Sequence, residues 1–246
     1  MYDKGPMNRQ SPFSYTCNAC GRCCHNKVIT LSPHDVLRLA RAAGVTTREA
    51  IARYTIRRGS ILKFSDAGTC VALEGAHCGV HRGRPLACRI YPLGIERGDD
   101  GAEHFIRLEP AAGSAGVYGI DGVVGDFLEA QEVAPYLDAN ARYASLLPVF
   151  RERIAVTLDF ERVEPREFWR RAVREALAES NYDPNPLIDV TFDADLVGGA
   201  EDEAAIVEAH IERLAGMISR ESDAQILAAA AVMLAVSIGL SPTAVQ

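Results

Sequence analysis

Four of the chain's seven cysteines are packed into one run of eight residues, CNACGRCC, at positions 17 to 24. Cysteine thiolates bind zinc and iron, and a C-x2-C turn brings two sulfurs close enough to share an ion or a cluster. The small residues Ala19 and Gly21 allow the backbone to curl between these thiols. Three cysteines spaced C-x2-C-x2-C are typical of a loop that wraps an iron–sulfur cluster, in which each thiolate binds a different iron.

The three other cysteines lie further along the chain, and one of them can supply the fourth thiolate that a four-iron cluster needs. The candidate metal ligands are therefore Cys17, Cys20, Cys23, Cys24, Cys70, Cys78 and Cys88. Seven thiols exceed the four ligands of one zinc ion, which favours a polynuclear centre, a cluster with a second ion, or a site with a free thiol. Because Cys23 and its neighbour Cys24 point in different directions, either two centres share the run or one cysteine is not a ligand.

Disulfides explain this pattern poorly. The amino-terminal residues contain no apolar run typical of a signal peptide, which predicts a cytoplasmic protein whose thiols stay reduced. Seven is also an odd number, so the cysteines cannot all pair with one another.

Basic residues flank the cysteines along the sequence, and among them Arg84 and Arg89 are candidate cofactor-binding residues. A centre with several thiolates accumulates negative charge, which guanidinium groups can offset. We expect the two arginines to neutralise the thiolates in this way. Binding of an anionic substrate is the alternative, and a solvated surface position is the simplest role for either side chain.

Composition excludes several classes of protein. The net charge of −7 argues against a nucleic-acid binder, because such proteins cluster lysine and arginine on one surface. The most apolar stretch, residues 226–240, is shorter than the roughly 20 residues that span a bilayer. It predicts a buried helix and no membrane association.

The amino-terminal half predicts an α+β arrangement of two helices and short strands. Ser32 and Thr46 are each followed three residues later by an acidic residue, which is typical of a helix start. Strand-like runs follow at residues 28–32, 60–64, 69–73, 91–97 and 103–108. The Asp100-Gly101 pair predicts a hairpin between the last two runs.

A segment rich in glycine and alanine, residues 109–125, predicts a loop and a domain boundary. Residues 1–125 then form a small metal-binding domain, and residues 126–246 form a mainly helical carboxyl-terminal domain that offers a surface for a protein partner. Helices are predicted at about 126–147, 164–179, 201–220 and 223–240, the last capped by Ser222. An alternating run predicts a strand at 152–160, and a turn-rich break is predicted at 181–186.

The two cysteine-bearing segments resemble the YkgJ-type CxxCxxCC family of zinc- or iron-chelating domains. The resemblance rests on CNACGRCC and on GTCVALEGAHCGVHRGRPLACRIYPLG, and it covers roughly residues 15–125. It implies a metal-binding fold with the seven cysteines as ligands. Flagellin lysine N-methylases carry a similar cluster, which distantly implies a transferase, whereas most members of the family have no assigned reaction.

This chain departs from the family pattern in one place. Family members tend to carry an eighth cysteine before a proline downstream of the hairpin, where this chain has Glu109-Pro110. A carboxylate also binds iron or zinc, so Glu109 is a candidate ligand, and an ordinary acid at a strand end is the alternative. His25 and His81 lie close to cysteines and are candidates to complete a mixed cysteine and histidine site.

The sequence therefore supports three functions that all bind metal. The first is a protein that holds an iron–sulfur cluster, with four irons and four sulfides, or iron, and that acts as a redox or transferase enzyme. The second is a structural zinc module that presents an interaction surface, and the third is a metal chelator or delivery protein. No glycine-rich dinucleotide fingerprint and no P-loop indicates an organic cosubstrate, so whether the chain is an enzyme stays open.

Overall fold

The structure is a computed structural model that describes residues 7–97, 102–158, 164–177 and 202–241. Its class is α+β, as predicted, with short antiparallel strand pairs in the amino-terminal part and helices in the carboxyl-terminal half. Within these ranges no helix combines the length and the apolar character needed to cross a membrane.

The strands pair two by two in the described part of the chain. They are β1 (Pro12–Thr16), β2 (Thr55–Ile56), β3 (Ile61–Leu62), β4 (Leu73–Glu74), β5 (His77–Cys78), β6 (Leu93–Arg97), β7 (Glu103–Arg107) and β8 (Val117–Val123). The antiparallel pairs are β1 with β8, β2 with β3, β4 with β5, and β6 with β7.

The helices fall into an amino-terminal and a carboxyl-terminal group. They are α1 (Pro33–Ala43), α2 (Thr47–Tyr54), α3 (Leu86–Ile90), α4 (Val124–Ala130), α5 (Ala134–Tyr143), α6 (Leu146–Thr157), α7 (Pro165–Leu177), α8 (Glu203–Ile218) and α9 (Ala224–Ser237). Short 3-10 turns at Arg22–Cys24 and His81–Gly83 carry or flank cysteines.

Both amino-terminal helices begin where their capping sequences predict. Ser32 caps α1 and Thr46 caps α2, each in a reciprocal box with the acidic residue three positions later. The predicted hairpin is also present as β6 and β7, with Leu93 opposite Arg107. Its Asp100-Gly101 turn lies outside the described residues.

Three predicted strands are shorter than expected or absent. Residues 28–32 contribute one bridge, Thr30 to Ile61. Residues 69–73 contribute two bridges, Thr69 to His25 and Cys70 to Phe64, before β4 starts at Leu73. Only two residues of 60–64 form β3. Turns at residues 66–67 and 71–72 interrupt the chain between these short segments.

The predicted loop at 109–125 was wrong in part, because residues Val117–Val123 form β8. This strand returns to pair with β1, with Thr16 opposite Val117 and Pro12 opposite Val123. Glycines within the run concealed it, since glycine is normally depleted in strands.

The helices that follow were predicted with the wrong boundaries. One helix was expected at 126–147, but the chain breaks after Ala130 and after Tyr143 to give α4, α5 and α6. Glu132 adopts a left-handed conformation with φ 52° at the first break. The strand predicted at 152–160 was also wrong, because α6 continues to Thr157.

The reason lies in the buried face of α6. Leu146, Phe150 and Ile154 recur every four residues and are all buried, which is helical periodicity. Only the short final stretch alternates, and that pattern misled the prediction. The turn-rich break predicted at 181–186 lies outside the described residues.

The last two helices lie where they were predicted, although the cap of α9 differs. Asp223, not Ser222, caps α9, and its carboxylate accepts hydrogen bonds from the backbone N–H groups of Gln225 and Ile226. The apolar residues Leu227 to Ala235 are almost fully buried, so the most apolar stretch of the chain is a core helix, as predicted.

Three groups of buried residues make up the core. One lies among α5 to α9, one surrounds α1 and α2 and includes Cys70, and the third joins β1, α3, β6, β7 and α4. In the third group Phe13 packs edge-on against Phe127, with ring centroids 5.1 Å apart. The domain division at residue 125 stays a prediction, and α4 packs onto the amino-terminal strands.

Helix α1 lies directly against the turn that joins β5 to α3. A Cβ atom on Gly83 would overlap the carbonyl oxygen of Arg38 and lie 2.7 Å from the Cβ of Ala42. Gly83 is therefore required for the close approach of this turn to α1. Cys78 precedes the turn in the sequence and Cys88 follows it.

We predict that Gly83→Ala destabilises the protein by about 2 kcal/mol, since added atoms in a packed contact typically cost 1–3 kcal/mol. Urea unfolding measures the change. Gly216→Ala in α8 is the matched control, because its nearest neighbour is a side-chain atom of Arg220 at 3.9 Å. Alanine should stabilise that helix by about 0.5–1 kcal/mol. Equal effects of the two substitutions would contradict the close contact at Gly83.

A buried histidine connects α5 and α8. The hydroxyl of Tyr143 lies 2.8 Å from Nδ1 of His210, and the two rings pack edge to face. Burial lowers the pKa of His210 to about 3, so the imidazole is neutral at physiological pH.

This histidine should make the protein sensitive to acid. An unfolded histidine has a pKa near 6.5, so the unfolded chain binds more protons between about pH 6.5 and pH 3, and stability falls as the pH falls through that window. We predict a loss of about 2 kcal/mol from this group between pH 7 and pH 5, measured by urea unfolding at both values. His210→Asn should remove that part of the pH dependence, whereas His77→Asn at an exposed position should not. An unchanged pH dependence in His210→Asn would contradict the assignment.

Candidate metal centre

Five of the seven cysteines converge beside α1, and we refer to Cys23, Cys24, Cys70, Cys78 and Cys88 as the inner thiols. Cys70 is buried in the core that surrounds α1 and α2, and Cys24, Cys78 and Cys88 pack against that core. Cys23 interacts electrostatically with Cys70, Cys78 and Cys88. Residues separated by more than sixty positions in sequence thus share one local environment.

Backbone hydrogen bonds hold the inner thiols in place. The N–H of Cys70 donates to the carbonyl of Cys24 at 2.9 Å, which ties the cysteine run to the next cysteine-bearing segment. Cys78 lies opposite Leu73 in the β4–β5 hairpin. A bridge between His25 and Thr69 continues the same contact on the other side of Cys24.

Cys88 is positioned through a buried carboxylate. Asp35 accepts hydrogen bonds from the N–H and hydroxyl of Ser32 at the start of α1. Its other oxygen accepts from the N–H of Leu86 at 2.8 Å, at the start of α3. Burial raises the pKa of Asp35, against the effect of these hydrogen bonds. One side chain therefore fixes the first turn of two helices, and the second helix carries Cys88.

The inner thiols differ in acidity. The Cys24 thiol donates to the sulfur of Cys23, 4.0 Å away, which lowers the pKa of Cys23 to about 6 and raises that of Cys24. Burial raises the pKa of Cys70, Cys78 and Cys88. Buried thiols keep their protons unless a cation compensates the charge, and a bound metal ion provides that compensation.

Arg84 lies near the inner thiols, and its role in offsetting their charge stays a prediction. It interacts electrostatically with Cys78 and Cys88, and it donates to the carbonyl of His81 at 2.9 Å and to Oε1 of Gln131 at 2.6 Å. Arg84 also donates to Nδ1 of His81 at 3.1 Å, so that nitrogen of His81 is occupied.

Arg89 connects segments of the fold through hydrogen bonds to backbone carbonyls. Its buried guanidinium donates to the carbonyls of Gln131 and Arg82, both at 2.7 Å. It also lies over the ring of Tyr136, 4.9 Å from the centroid. The predicted role of Arg89 at a cofactor stays a prediction, and the observed contacts fix the α3 segment against α5.

Two further candidate ligands are His25 and Glu109. His25 influences Cys23 electrostatically and donates through Nδ1 to the carbonyl of Gly21 at 3.1 Å, which leaves its Nε2 available to a metal. Glu109 is exposed and interacts electrostatically with Tyr118. Ligation by either residue stays a prediction.

The remaining two cysteines, Cys17 and Cys20, are called the outer pair. Both are exposed, and neither is part of the core around α1 and α2. The sulfur of Cys20 accepts a hydrogen bond from the N–H of Ala115 at 3.4 Å, which lowers the pKa of Cys20. The expectation that all seven cysteines bind metal therefore stays a prediction for this pair.

The donor chemistry of the inner thiols fits zinc or an iron–sulfur cluster, both of which prefer thiolate sulfur. In the described residues, no three histidine, cysteine, aspartate or glutamate side chains lie close enough to hold a single ion. Two thiolates on one zinc ion are about 3.8 Å apart, as follows from a Zn–S bond of about 2.3 Å in tetrahedral geometry. Cys23 and Cys24 approach this separation, and binding of a single ion would require the other inner thiols to move inward.

Two residues of this site could not be identified from the sequence. The sequence indicated that Asp35 lies in the capping turn of α1, but it did not indicate the hydrogen bond from Leu86 to its carboxylate. Nothing in the sequence indicated a role for Tyr136 at this site. The ring of Tyr136 is fully buried and contacts Arg38 and Arg89, with the guanidinium carbons 5.2 and 4.9 Å from its centroid. Such a residue is visible only once α1, α3 and α5 are assembled.

Comparison with known proteins yields one match. No curated protein and no solved structure matches the chain. Residues 16–107, which contain all seven cysteines, match the family model named CxxCxxCC, described as a "Putative zinc- or iron-chelating domain". The match covers less than half of the chain and stops before α4 begins. Residues 16–107 of this protein are accordingly similar to the domains that this family model describes.

Proposed function

We propose that the inner thiols hold an iron–sulfur cluster, and that metal binding is the function of the amino-terminal domain. The observation that supports this most strongly is the convergence of five thiols at the core around α1 and α2, namely Cys23, Cys24, Cys70, Cys78 and Cys88. Thiols from four separate segments are not brought together by local sequence. A centre that joins them also explains why a small domain with short strands needs so many cysteines.

The spacing of the inner thiols favours a cluster over a single zinc ion. The described side chains contain no set of three donors within reach of one ion, although the inner thiols interact with one another. Thiolates that bind different irons of one cluster are farther apart than thiolates that bind the same ion. Four of the five inner thiols would suffice for a cluster with four thiolate ligands.

Two basic residues, Arg84 and Lys27, lie near the inner thiols and would offset the negative charge of the thiolates around a bound cluster. Arg84 interacts with Cys78 and Cys88, and Lys27 interacts with Cys23. When a cluster is bound, it supplies the positive charge that lets the buried thiols lose their protons. The residues of this chain hold the ligands in place: Asp35 fixes the segment of Cys88, and the Cys24 carbonyl fixes that of Cys70.

The carboxyl-terminal helices are the proposed surface for a protein partner. They are joined to the domain through Glu203 at the start of α8, whose carboxylate binds Arg38 and Arg41 of α1 at 2.9 and 2.6 Å. A redox or transfer reaction would use the same centre, and a structural zinc site is the second form of the proposal. Cluster composition separates the two.

We predict that protein purified without oxygen absorbs broadly in the visible range and contains iron and acid-labile sulfide in equal amounts. The double variant Cys70→Ser/Cys88→Ser leaves three inner thiols, too few for a four-thiolate cluster, so its metal content should fall to background. Elemental analysis and a sulfide assay measure this. The control is Ala72→Ser, which adds the same hydroxyl to the same core but removes no thiol, and it should keep the metal.

Several results would overturn the proposal. Colourless protein with stoichiometric zinc would replace the cluster with a structural zinc site. Metal that a weak chelator removes while the fold stays intact would indicate chelation or delivery. Equal metal content in the double variant and the wild type would show that the inner thiols are not the ligands.

A further inference from the structure

Helix α8 turns one face to the core and leaves the opposite face exposed. The core-facing residues are Val207, His210, Leu214 and Ile218. On the exposed face, Glu212, Gly216 and Arg220 follow one another at intervals of four residues, which aligns them along one side of the helix. The chain keeps helical spacing past the end of α8, because the N–H of Glu221 donates to the carbonyl of Met217 at 3.1 Å.

The charges of Glu212 and Arg220 are too far apart to pair within one helix. Eight residues separate their Cα atoms by about 12 Å along the helix axis, whereas side chains on a helix pair at spacings of three or four residues. Both side chains are exposed, and in the part of the chain that the structure describes neither takes part in an ion pair or a side-chain hydrogen bond. A second molecule can therefore supply the opposite charge to each of them.

Gly216 leaves room between these two charges. The nearest neighbour of a Cβ atom at this position would be a guanidinium nitrogen of Arg220 at 3.9 Å, which belongs to a flexible side chain. The glycine lies in an open cleft of about 600 Å³ whose lining also includes Arg213 and Met217. A glycine in an exposed position of a helix lets another backbone approach closely.

We propose that α8 pairs with α8 of a second copy of this chain, antiparallel and crossing at Gly216, to form a symmetric dimer. A two-fold axis at Gly216 places residues at equal distances before and after it opposite each other. Glu212 of each copy then faces the partner's Arg220, so two ion pairs form across the crossing. Arg213 faces the partner's Ser219, which carries no charge. This dimer rests on the proposed function, which assigns the partner surface to the carboxyl-terminal helices.

The charges disfavour the nearest alternative register. If the two-fold axis lay half a residue closer to the carboxyl terminus, Arg213 would face the partner's Arg220, and Glu212 would face the partner's Glu221. Both contacts would then bring like charges together, which is unfavourable across an interface. The charge pattern thus selects the register that is centred on Gly216.

The dimer should be weak and sensitive to salt. Two helices that cross at one point bury less surface than the roughly 1,200–2,000 Å² of a stable interface. Exposed ion pairs contribute little each, and salt screens them. Association should therefore need a high protein concentration and a low salt concentration.

Sedimentation equilibrium of the full chain tests the association. At about 20 mM salt the weight-average mass should rise with protein concentration toward that of a dimer, and at about 500 mM salt it should fall back toward that of one chain. Metal and acid-labile sulfide are assayed on the same samples.

Charge reversal tests the contact itself. Arg220→Glu places two glutamates opposite each other and Glu212→Arg places two arginines opposite each other, so each variant should weaken association about tenfold or more. The double variant Glu212→Arg/Arg220→Glu restores both ion pairs with the net charge unchanged, and its association should recover. Arg213→Glu is the matched control, because it makes the same charge change as Arg220→Glu but faces the uncharged Ser219 of the partner subunit, and it should associate like the wild type.

A bulky side chain at the crossing should block the dimer. Gly216→Leu fills the point of closest approach, and leucine favours a helix more than glycine does. The variant should therefore melt at a temperature no lower than that of the wild type and stay a monomer in low salt.

Four results would overturn the inference. The first is a mass that stays that of one chain at every concentration in low salt, which would show that this face does not bind a second copy. The others are single reversals that associate like the wild type, a double variant that does not recover, and a Gly216→Leu variant that still dimerises. A metal-loaded protein that stays a monomer contradicts the dimer alone, whereas a dimer without metal contradicts the cluster alone, so the two failures are distinguishable.

Discussion

The buried carboxylate of Asp35 is the constraint on which the arrangement of the cysteines depends. It completes the cap of α1 and accepts a hydrogen bond from the N–H of Leu86. Asp35 and Leu86 are 51 positions apart in the sequence. The segments that carry Cys70 and Cys78 lie between these two points of the chain. A buried carboxylate is tolerated only when its oxygens are hydrogen-bonded, and here the donors are the N–H groups of Ser32 and Leu86 at two helix starts and the Ser32 hydroxyl.

A second set of contacts connects this arrangement to the carboxyl-terminal helices. Tyr136 of α5 donates through its hydroxyl to the carbonyl of Arg84 at 3.2 Å and packs edge to face against His34. Glu203 of α8 binds Arg38 and Arg41 on the same helix that Asp35 caps. Helix α1 therefore links the core that carries the inner thiols to the carboxyl-terminal helices.

The sequence predicted those parts of the fold whose cause is local. The capping boxes at Ser32 and Thr46 and the hairpin of β6 and β7 depend on residues within a few positions of one another, and they were confirmed. Strand β8 could not be predicted, because its partner β1 lies about a hundred residues earlier and its own glycines argue against a strand. The strand predicted at 152–160 was wrong because burial against α9, not local alternation, decides the structure there.

In the candidate site, too, the sequence predicted the features with a local cause and missed those that depend on tertiary contacts. Spacing alone identified the cysteines and the arginines beside them, since C-x2-C turns are a local signal. It could not separate the inner thiols from the outer pair, because that separation is made by the β1–β8 pairing and by the packing of Cys70 and Cys88 near α1. The roles of Asp35 and Tyr136 likewise arise from tertiary contacts.

The central claim is that thiols distant in sequence share one inorganic centre. X-ray absorption at the metal edge of anaerobically purified protein tests it most directly, because the fine structure reports the atoms bonded to the metal. The account predicts a first shell of about four sulfur atoms near 2.3 Å, together with a metal–metal distance if the centre is a cluster. A first shell made mainly of oxygen and nitrogen would contradict it.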